Sequence, residues 1–179
     1  VSNTVIPGDH IVIRKWIGKL SRGDLVIFHP PPTPEEQFLG RVIGLPGERI
    51  EVRDRTIFID GTELQEHRVS VAPEVGGREA LQEISSDGSG AYRVFYWSRE
   101  LAAPPAQEDG YGINAPLQIP PDQYYVMGDN RDNSFDSRFW GTVSRVAIVG
   151  KPTMIYWSSQ VDESGTEQVR WGRLFTRVR

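Results

Sequence analysis

The sequence contains no cysteine, and this absence excludes several kinds of chemistry. The chain can form no disulfide bond, offers no thiol nucleophile and cannot bind a metal through cysteine sulfur. Its three histidines, His10, His29 and His67, stand far apart and show no metal-ligand spacing. We therefore expect no metal ion, and no feature of the sequence indicates another cofactor.

Long hydrophobic runs and clusters of charge are also missing. No segment approaches the roughly twenty consecutive apolar residues that a membrane-spanning helix needs. The formal net charge is −4 and the basic residues are scattered along the chain, so nothing suggests the basic surface typical of nucleic-acid-binding proteins. Because the chain begins at Val1 rather than at methionine, we expect that an upstream segment has been removed.

The residues that are present suffice for one folded domain. Of the 179 residues, 38% are hydrophobic and 10% are aromatic, which supports a packed core. Between residues 63 and 117, glycine, proline and acidic residues become frequent, and a single aromatic strand, YRVFYW, interrupts them. We interpret residues 63–117 as an inserted second β subdomain or an extended hairpin, with residues 1–62 and 118–179 forming the core domain.

Helical periodicity is scarce, and short β-branched segments bounded by glycine, proline and aspartate replace it. This pattern predicts a mainly antiparallel β fold with a barrel-like or sandwich-like core. Asp60 and Gly61 predict a tight hairpin turn, GLPGE at 44–48 predicts a second turn, and the only predicted helical turn lies near 144–146. The predicted strands are residues 10–15, 24–29, 38–43, 49–53, 56–59, 91–97, 123–127, 147–156 and 169–175.

One segment, GDNRDNSFDSRFWG at 128–141, is too polar for a core strand. Its Asp, Asn and Ser side chains are of the kind that fix irregular loops by accepting backbone hydrogen bonds. We expect Asp136 and Arg138 to pair bidentately, either within the loop or with an adjacent strand. Ser134 is a small hydroxyl among groups that orient one another, so it can support a catalytic group, although a rigid structural turn is the alternative.

The same loop resembles the signature of type I signal peptidases, membrane-anchored serine proteases that remove signal peptides from exported proteins. Three further segments resemble blocks of that family in the same order: IPGDHIVIRKW at 6–16, RGDLVIF at 22–28 and FLGRVIGLPGERI at 38–50. The resemblance covers most of the chain outside residues 63–117. It implies an antiparallel β core with a second β subdomain. It also implies an N-terminal membrane anchor, an extracytoplasmic location, and a signal peptide or extended preprotein segment as partner.

The resemblance further implies a Ser–Lys dyad, in which a buried lysine with a depressed pKa takes the proton of the nucleophilic serine. The lysine should directly precede Arg41, but this chain has Gly40 there, and glycine cannot act as a base. Ser134 matches the hydroxyl that supports the lysine. Alignment of NTVIPGD with the family pattern places Val1 directly after the nucleophile, which would therefore lie one residue upstream of Val1. Ser2 cannot replace it, because it is two residues out of register, about 7 Å along a strand.

Three hypotheses follow from Gly40. The chain is an active peptidase with a base from elsewhere, an inactive homologue that binds secreted or surface-protein segments in export or assembly, or a peptidase whose lysine was deliberately replaced. The chain has only three lysines, Lys15, Lys19 and Lys151, and the first two are predicted to lie at the surface. The sequence therefore favours an inactive protein.

Substrate binding does not require the dyad. Gln37, Phe38 and Leu39 match the strand that pairs with the extended signal peptide in the family, and strand addition needs mainly backbone groups. The alternative is that Phe38 and Leu39 pack in the core. PPPTPEE at 30–36 predicts an exposed edge or loop, because proline cannot donate a ladder hydrogen bond.

The structural residues of the polar loop are predicted to be Asp129, Asn130, Arg131, Asp136 and Arg138.

Overall fold

A computed structural model describes residues 5–53, 55–68, 78–84, 91–97, 115–162 and 164–178, and they form a mainly antiparallel β fold. This confirms the fold class predicted from the sequence. One α-helix, α1 (Ser137–Trp140), lies in the polar loop. The strands are β1 (Asp9–Arg14), β2 (Leu25–Phe28), β3 (Phe38–Gly44), β4 (Arg49–Arg53), β5 (Thr56–Ile59), β6 (Thr62–Glu63), β7 (Glu66–Arg68), β8 (Arg78–Ile84), β9 (Ala91–Trp97), β10 (Leu117–Gln118), β11 (Gln123–Met127), β12 (Val143–Ser144), β13 (Ile148–Val161), β14 (Glu167–Val169) and β15 (Thr176–Arg177).

The largest sheet has eight strands and places β3 near its middle. Its order is β1-β13-β2-β3-β11-β12, and β14 and β15 also pair with β13. A four-stranded sheet has the order β10-β4-β5-β6, and a three-stranded sheet has the order β7-β8-β9. Because β3 pairs with β2 on one side and β11 on the other, the two neighbours fix the position of β3 in the sheet.

The central strands lie between two hydrophobic clusters. Val42 of β3 and Val126 of β11 belong to one cluster, whereas Ile43 and Tyr125 belong to the other. Successive side chains of a strand point to opposite faces, so both faces of β3 and β11 are buried. Burial on both faces explains why successive residues are apolar at Val42 and Ile43 of β3 and along Tyr124–Met127 of β11, where an alternating pattern would have left one face polar.

Several local predictions are confirmed. Strands β4, β5, β9 and β11 have the predicted bounds, and β1, β2, β3 and β13 overlap the predicted segments. Asp60 and Gly61 have φ angles of 50° and 79°, which is the paired left-handed conformation of a type I′ hairpin turn. Gly47 has a φ of 85° in the second predicted turn. Residues 30–36 form turns between β2 and β3, in agreement with the predicted loop.

The prediction of a strand over 169–175 is wrong. The structure divides this segment among the end of β14, a 3₁₀ turn at Trp171–Arg173 and the chain before β15. Trp171 and Phe175, the two aromatic residues of this segment, are 76% and 72% exposed. Because these two side chains are not buried against another element, no packing stabilises an extended strand over this segment.

Two further predictions are wrong. The helical turn near 144–146 exists as a 3₁₀ turn at Arg145–Ala147, but it is not the only one, because α1 and a 3₁₀ turn at Arg131–Asn133 occur in the polar loop. Ser144 precedes the Arg145–Ala147 turn without a side-chain capping hydrogen bond. The single strand predicted within residues 63–117 is also incomplete, since β7 and β8 pair beside β9.

The three-stranded sheet packs against the rest of the described residues through β9. Val94 and Tyr96 of β9 lie in the same hydrophobic cluster as Ile43 and Ile50. The division into a core domain and an inserted subdomain at residues 63–117 stays a prediction. In the part of the chain that the structure describes, no helix has the length and apolar character needed to cross a bilayer.

Candidate functional site

A cleft lies between the first half of β3 and the polar loop that follows β11. Two cavities, of about 120 Å³ and about 230 Å³, share Leu39, Gly40, Gly128 and Ser134 as lining residues. We call the two cavities together the cleft. The smaller cavity is also lined by Phe28, Phe38, Val126, Met127, Phe135 and Asp136, and the larger by Val5, Leu25, Asp129 and Asn130.

The start of β3 has one strand neighbour instead of two. On one side, β2 pairs along the strand and places Phe28 opposite Phe38 and Val26 opposite Gly40. On the other side, β11 pairs only with the later residues, and its last pair joins Met127 to Arg41. Among the described residues, Phe38–Gly40 therefore have no strand partner on the side of the cleft.

Gly40 is covered by core side chains. A Cβ atom at this position would lie 2.6 Å from Val126 Cγ1, 3.2 Å from Phe28 Cε1 and 3.3 Å from the Met127 carbonyl oxygen. Val126 is fully buried and β-branched, so it has little freedom to rotate away. The Val126 methyl group thus occupies the space that a side chain at position 40 would enter.

Ser134 lies directly over Gly128 at the other wall of the cleft. A Cβ atom at Gly128 would be only 2.1 Å from Ser134 Oγ, so glycine is required for this close approach. The Ser134 hydroxyl donates a hydrogen bond of 2.7 Å to the Asn130 carbonyl oxygen. The hydroxyl is therefore held in one orientation at the edge of the cavity, and its lone pairs can accept a further hydrogen bond.

A buried ion pair joins the polar loop to β3. Arg41 is 1% exposed and donates from Nε and Nη2 to the two carboxylate oxygens of Asp129, each at 2.8 Å. Its Nη1 donates to the Gly23 carbonyl oxygen at 2.7 Å, and its guanidinium lies 4.2 Å from the centre of the Tyr92 ring. Arg41 thus acts as a fixed structural cation beside Gly40, since a guanidinium does not deprotonate in proteins.

The pair expected of Asp136 and Arg138 forms within the loop. Arg138 Nε and Nη2 donate to the two Asp136 oxygens at 2.8 and 2.7 Å, and Asp136 also accepts from the Arg138 backbone N–H at the start of α1. The Gly128 N–H donates to Asp136 at 2.9 Å. Burial, and then the charge of Asp136, raise the pKa of Tyr125, so its phenol stays neutral.

None of the three lysines lines the cleft beside Gly40. Lys15 and Lys19 are exposed, as predicted, and Lys151 of β13 forms an ion pair with Asp24. Of the described residues that line the cleft, none is a lysine or a histidine. This part of the chain supplies no amine or imidazole beside the Ser134 hydroxyl.

Not all of the residues predicted from the sequence contact the cleft. Gln37 is exposed, precedes β3 and is not among the lining residues. Arg131 is buried behind the loop and donates to the Tyr96 hydroxyl at 3.2 Å. Sequence reasoning missed Val126 and Gly128. A glycine inside an otherwise bulky strand indicates a close neighbour, and this signal was available at Gly40.

The sequence that forms these strands, the cleft and the polar loop matches a known family. Residues 1–157 match the family described as signal peptidase, peptidase S26. This chain belongs to the signal peptidase family. The match includes β1, β2, β3, β11 and the polar loop, so every residue named above as lining the cleft lies within the matched region.

Individual signal peptidases share about 30% sequence identity with this chain. A signal peptidase I from Leptolyngbya laminosa is 31% identical over 170 residues, covering 87% of this chain and 66% of the relative. One from Aquifex aeolicus is 30% identical over 202 residues, covering 92% and 75%. The matches to the first three curated relatives span 55% to 66% of their length. The solved structure of a signal peptidase I from Enterococcus faecalis has 27% identity and a TM-score of 0.46, covering 76% of this chain and 98% of the other.

Proposed function

We propose that the cleft of this chain binds an extended segment of an exported preprotein, such as its signal peptide. The observation that carries the proposal is the open edge of Phe38–Gly40, which faces the cleft. An added strand would pair with the backbone of β3, and the apolar lining would receive alternate side chains. Leu39 lines both cavities and Phe38 lines the smaller one, which supports a contact with the bound segment.

We further propose that this binding does not lead to cleavage through position 40. Gly40 offers no base, and Val126 fills the space next to it. A nucleophilic serine needs a neighbouring group that accepts its proton at hydrogen-bond distance. The proposal is therefore an inactive member of the signal peptidase family that holds preprotein segments during export or assembly.

The second candidate function is that of an active serine endopeptidase that removes signal peptides. The Ser134 hydroxyl favours it, because this group is held at the cleft in an orientation that can support a catalytic amine. In that case the amine must come from outside the described residues that line the cleft. The two candidates share the same bound peptide and differ only in whether the peptide is cut.

The proposed partner, an exported preprotein, also suggests where in the cell the protein acts. We propose that the protein acts at the cell membrane, on the extracytoplasmic side, where an N-terminal anchor holds it near exported preproteins. Fractionation of cells that express the full-length protein tests this, together with protease digestion from the outer side of the membrane. Recovery in the cytosolic fraction would contradict the proposed location.

A peptide that spans the cleavage region of a preprotein tests both candidate functions. Fluorescence anisotropy measures its binding, and mass spectrometry of the recovered peptide measures cleavage. We expect Leu39→Trp to weaken binding at least tenfold, because the larger ring fills the cleft. Val146→Trp is the control, since Val146 is 93% exposed and does not line the cleft. Binding with intact peptide supports the inactive homologue, cleavage after a small residue supports the peptidase, and absence of binding contradicts both.

A further inference from the structure

The C-terminal segment contacts the turn that leads into the cleft. This turn, residues 6–9, lies between Val5, which lines the larger cavity, and strand β1. The groups that hold it are Ser158 of β13 and two arginines, Arg170 and Arg173, all of which lie beyond the residues matched to the family.

Asp9 is the centre of these contacts. Its side chain is fully buried, and its two oxygens accept from Arg173 Nε at 3.0 Å and from Arg173 Nη2 at 2.5 Å. Ser158 Oγ donates to the same carboxylate at 2.6 Å, and the Ile6 N–H closes the turn onto it at 2.9 Å. Arg170 Nη2 lies 3.6 Å away, so two guanidinium groups face one buried carboxylate.

Arg170 holds the other half of the turn. Its Nη2 donates to the Pro7 carbonyl oxygen at 2.6 Å, and its Nε donates to Ser158 Oγ at 2.8 Å. Gly8 has a φ of 86°, and a Cβ atom there would lie 2.0 Å from the Ser159 carbonyl oxygen and 2.8 Å from Arg170 Nη2. The turn therefore packs tightly against β13 and the C-terminal segment.

We propose that Arg170 and Arg173 are positioning residues for the cleft: they clasp the turn at residues 6–9 and thereby hold Val5 in the cleft wall. The effect on peptide binding rests on the function proposed above, whereas the effect on Val5 does not. The physical basis is that each arginine has its own contact: loss of Arg173 removes both of its hydrogen bonds to the buried Asp9 carboxylate, and loss of Arg170 removes the donor to the Pro7 carbonyl oxygen. Either loss leaves a buried polar group without its donor. Such a group is strongly destabilising, and the turn would leave its site to expose it to water.

A nitroxide attached at position 5 tests the clasp directly. Because the chain has no cysteine, Val5→Cys creates a single labelling site in the full chain. The mobility of the label, read from its electron paramagnetic resonance line shape, is compared in this parent and in Arg173→Gln, Arg170→Gln and Arg177→Gln. Arg177 is the matched control, because it is an exposed arginine in β15 of the same C-terminal segment.

We expect the label to be immobile in the parent and in Arg177→Gln, and mobile in Arg173→Gln and Arg170→Gln. Arg173→Lys should give an intermediate spectrum, since lysine keeps the charge but not the two-pronged geometry. If the ordered fraction of the turn falls to about a tenth, the apparent Kd for the peptide rises about tenfold. Ser158→Ala is the milder variant if an arginine change prevents folding, and it should shift the spectrum in the same direction.

The label and the peptide test two different statements: the label tests whether the arginines hold Val5, and the peptide tests the proposed function. An immobile label in both arginine variants would overturn the clasp, as would equal mobility in Arg177→Gln. A mobile label with unchanged peptide affinity would overturn the positioning role in binding. If the parent binds no peptide, the proposed function fails, and the label still decides whether the arginines hold Val5.

Discussion

Val126 Cγ1 lies 2.6 Å from the place where a Cβ atom would stand at Gly40. The two residues are on neighbouring strands, and the valine is fully buried in the hydrophobic cluster of Val26 and Val42. A side chain at position 40 therefore requires a change in the core as well as a substitution in β3. The position of Val126 therefore decides whether β3 can hold a side chain at residue 40.

The contact predicts that even Gly40→Ala destabilises the protein. Overpacking of a filled core typically costs about 1–3 kcal/mol, so the urea midpoint should fall by the corresponding amount. Gly18→Ala is the matched control, because nothing lies within 4 Å of a Cβ atom at Gly18. If Gly40→Ala and Gly18→Ala unfold at the same urea concentration, Val126 does not fill the site.

Replacement of Gly40 by lysine, the base that the family resemblance implies at this position, should not create peptidase activity, because Val126 fills the space that the lysine would enter. We expect Gly40→Lys to be less stable than Gly40→Ala and to cleave no preprotein peptide. A second change, Val126→Ala, should recover part of the lost stability, because it removes the methyl groups that the new side chain meets. Peptide cleavage by the single variant Gly40→Lys would show that the scaffold lacks only the base.

Arg41 should contribute strongly to stability through its pair with Asp129. Arg41→Met removes two hydrogen bonds and the opposite charge from the largely buried Asp129 carboxylate, and loss of one member of a buried pair costs about 3–5 kcal/mol. Arg53→Met is the control, since Arg53 pairs with Glu51 but its side chain is 63% exposed. We expect the control to unfold like the parent. Equal urea midpoints for the two variants would contradict a structural role of the Arg41 pair.

The Asp9 carboxylate predicts an acid-sensitive fold. Burial alone would raise its pKa, but hydrogen bonds from Arg173, Ser158 and the Ile6 N–H outweigh this and hold the pKa below the ordinary value of 3.8. The unfolded chain then binds more protons in this window, so stability rises with pH there. The contribution is complete above about pH 4 and is lost as the pH falls through the pKa of the folded state.

Urea unfolding between pH 2 and pH 6 measures this contribution. Asp9→Asn should be less stable than the parent at pH 6 and should show a flatter decline toward pH 2. The Asp9 carboxylate contacts Arg170, Arg173, the Ser158 hydroxyl and the Ile6 N–H. Glu51 and Asp162 also have lowered pKa values, but they are the same in the parent and in Asp9→Asn, so the difference between the two curves reports Asp9. A parallel decline in Asp9→Asn would assign the acid sensitivity to other groups.

Much of the fold could be predicted because its signals are local. The strands at 49–53, 56–59 and 123–127 are short β-branched or aromatic segments between turn residues, and the Asp60-Gly61 pair identifies its own turn. The segment 169–175 shows the limit, because its apolar residues face solvent. Whether an apolar residue is buried depends on what packs against it, and a local pattern does not contain that information.

In the candidate site, too, local sequence predicted some residues, whereas others depend on contacts between distant segments. Gly40 and Ser134 were identified by their places in segments that resemble a family. Val126 was not identified, because its contact with Gly40 depends on β11 lying next to β3 across a long stretch of sequence. The clasp on Asp9 was also not predicted, since Arg170 and Arg173 are far from Asp9 in the sequence and carry no motif.

Hydrogen exchange with and without a preprotein peptide tests the central claim most directly. If the peptide adds a strand to the open edge of β3, the backbone amide of Leu39 should exchange more slowly in its presence, and the peptide should be recovered intact. Leu39 is the residue to follow, because the amides of Phe38 and Gly40 point toward β2. Unchanged exchange at Leu39 would contradict strand addition in the cleft. A peptide cut after a small residue would contradict the inactive homologue.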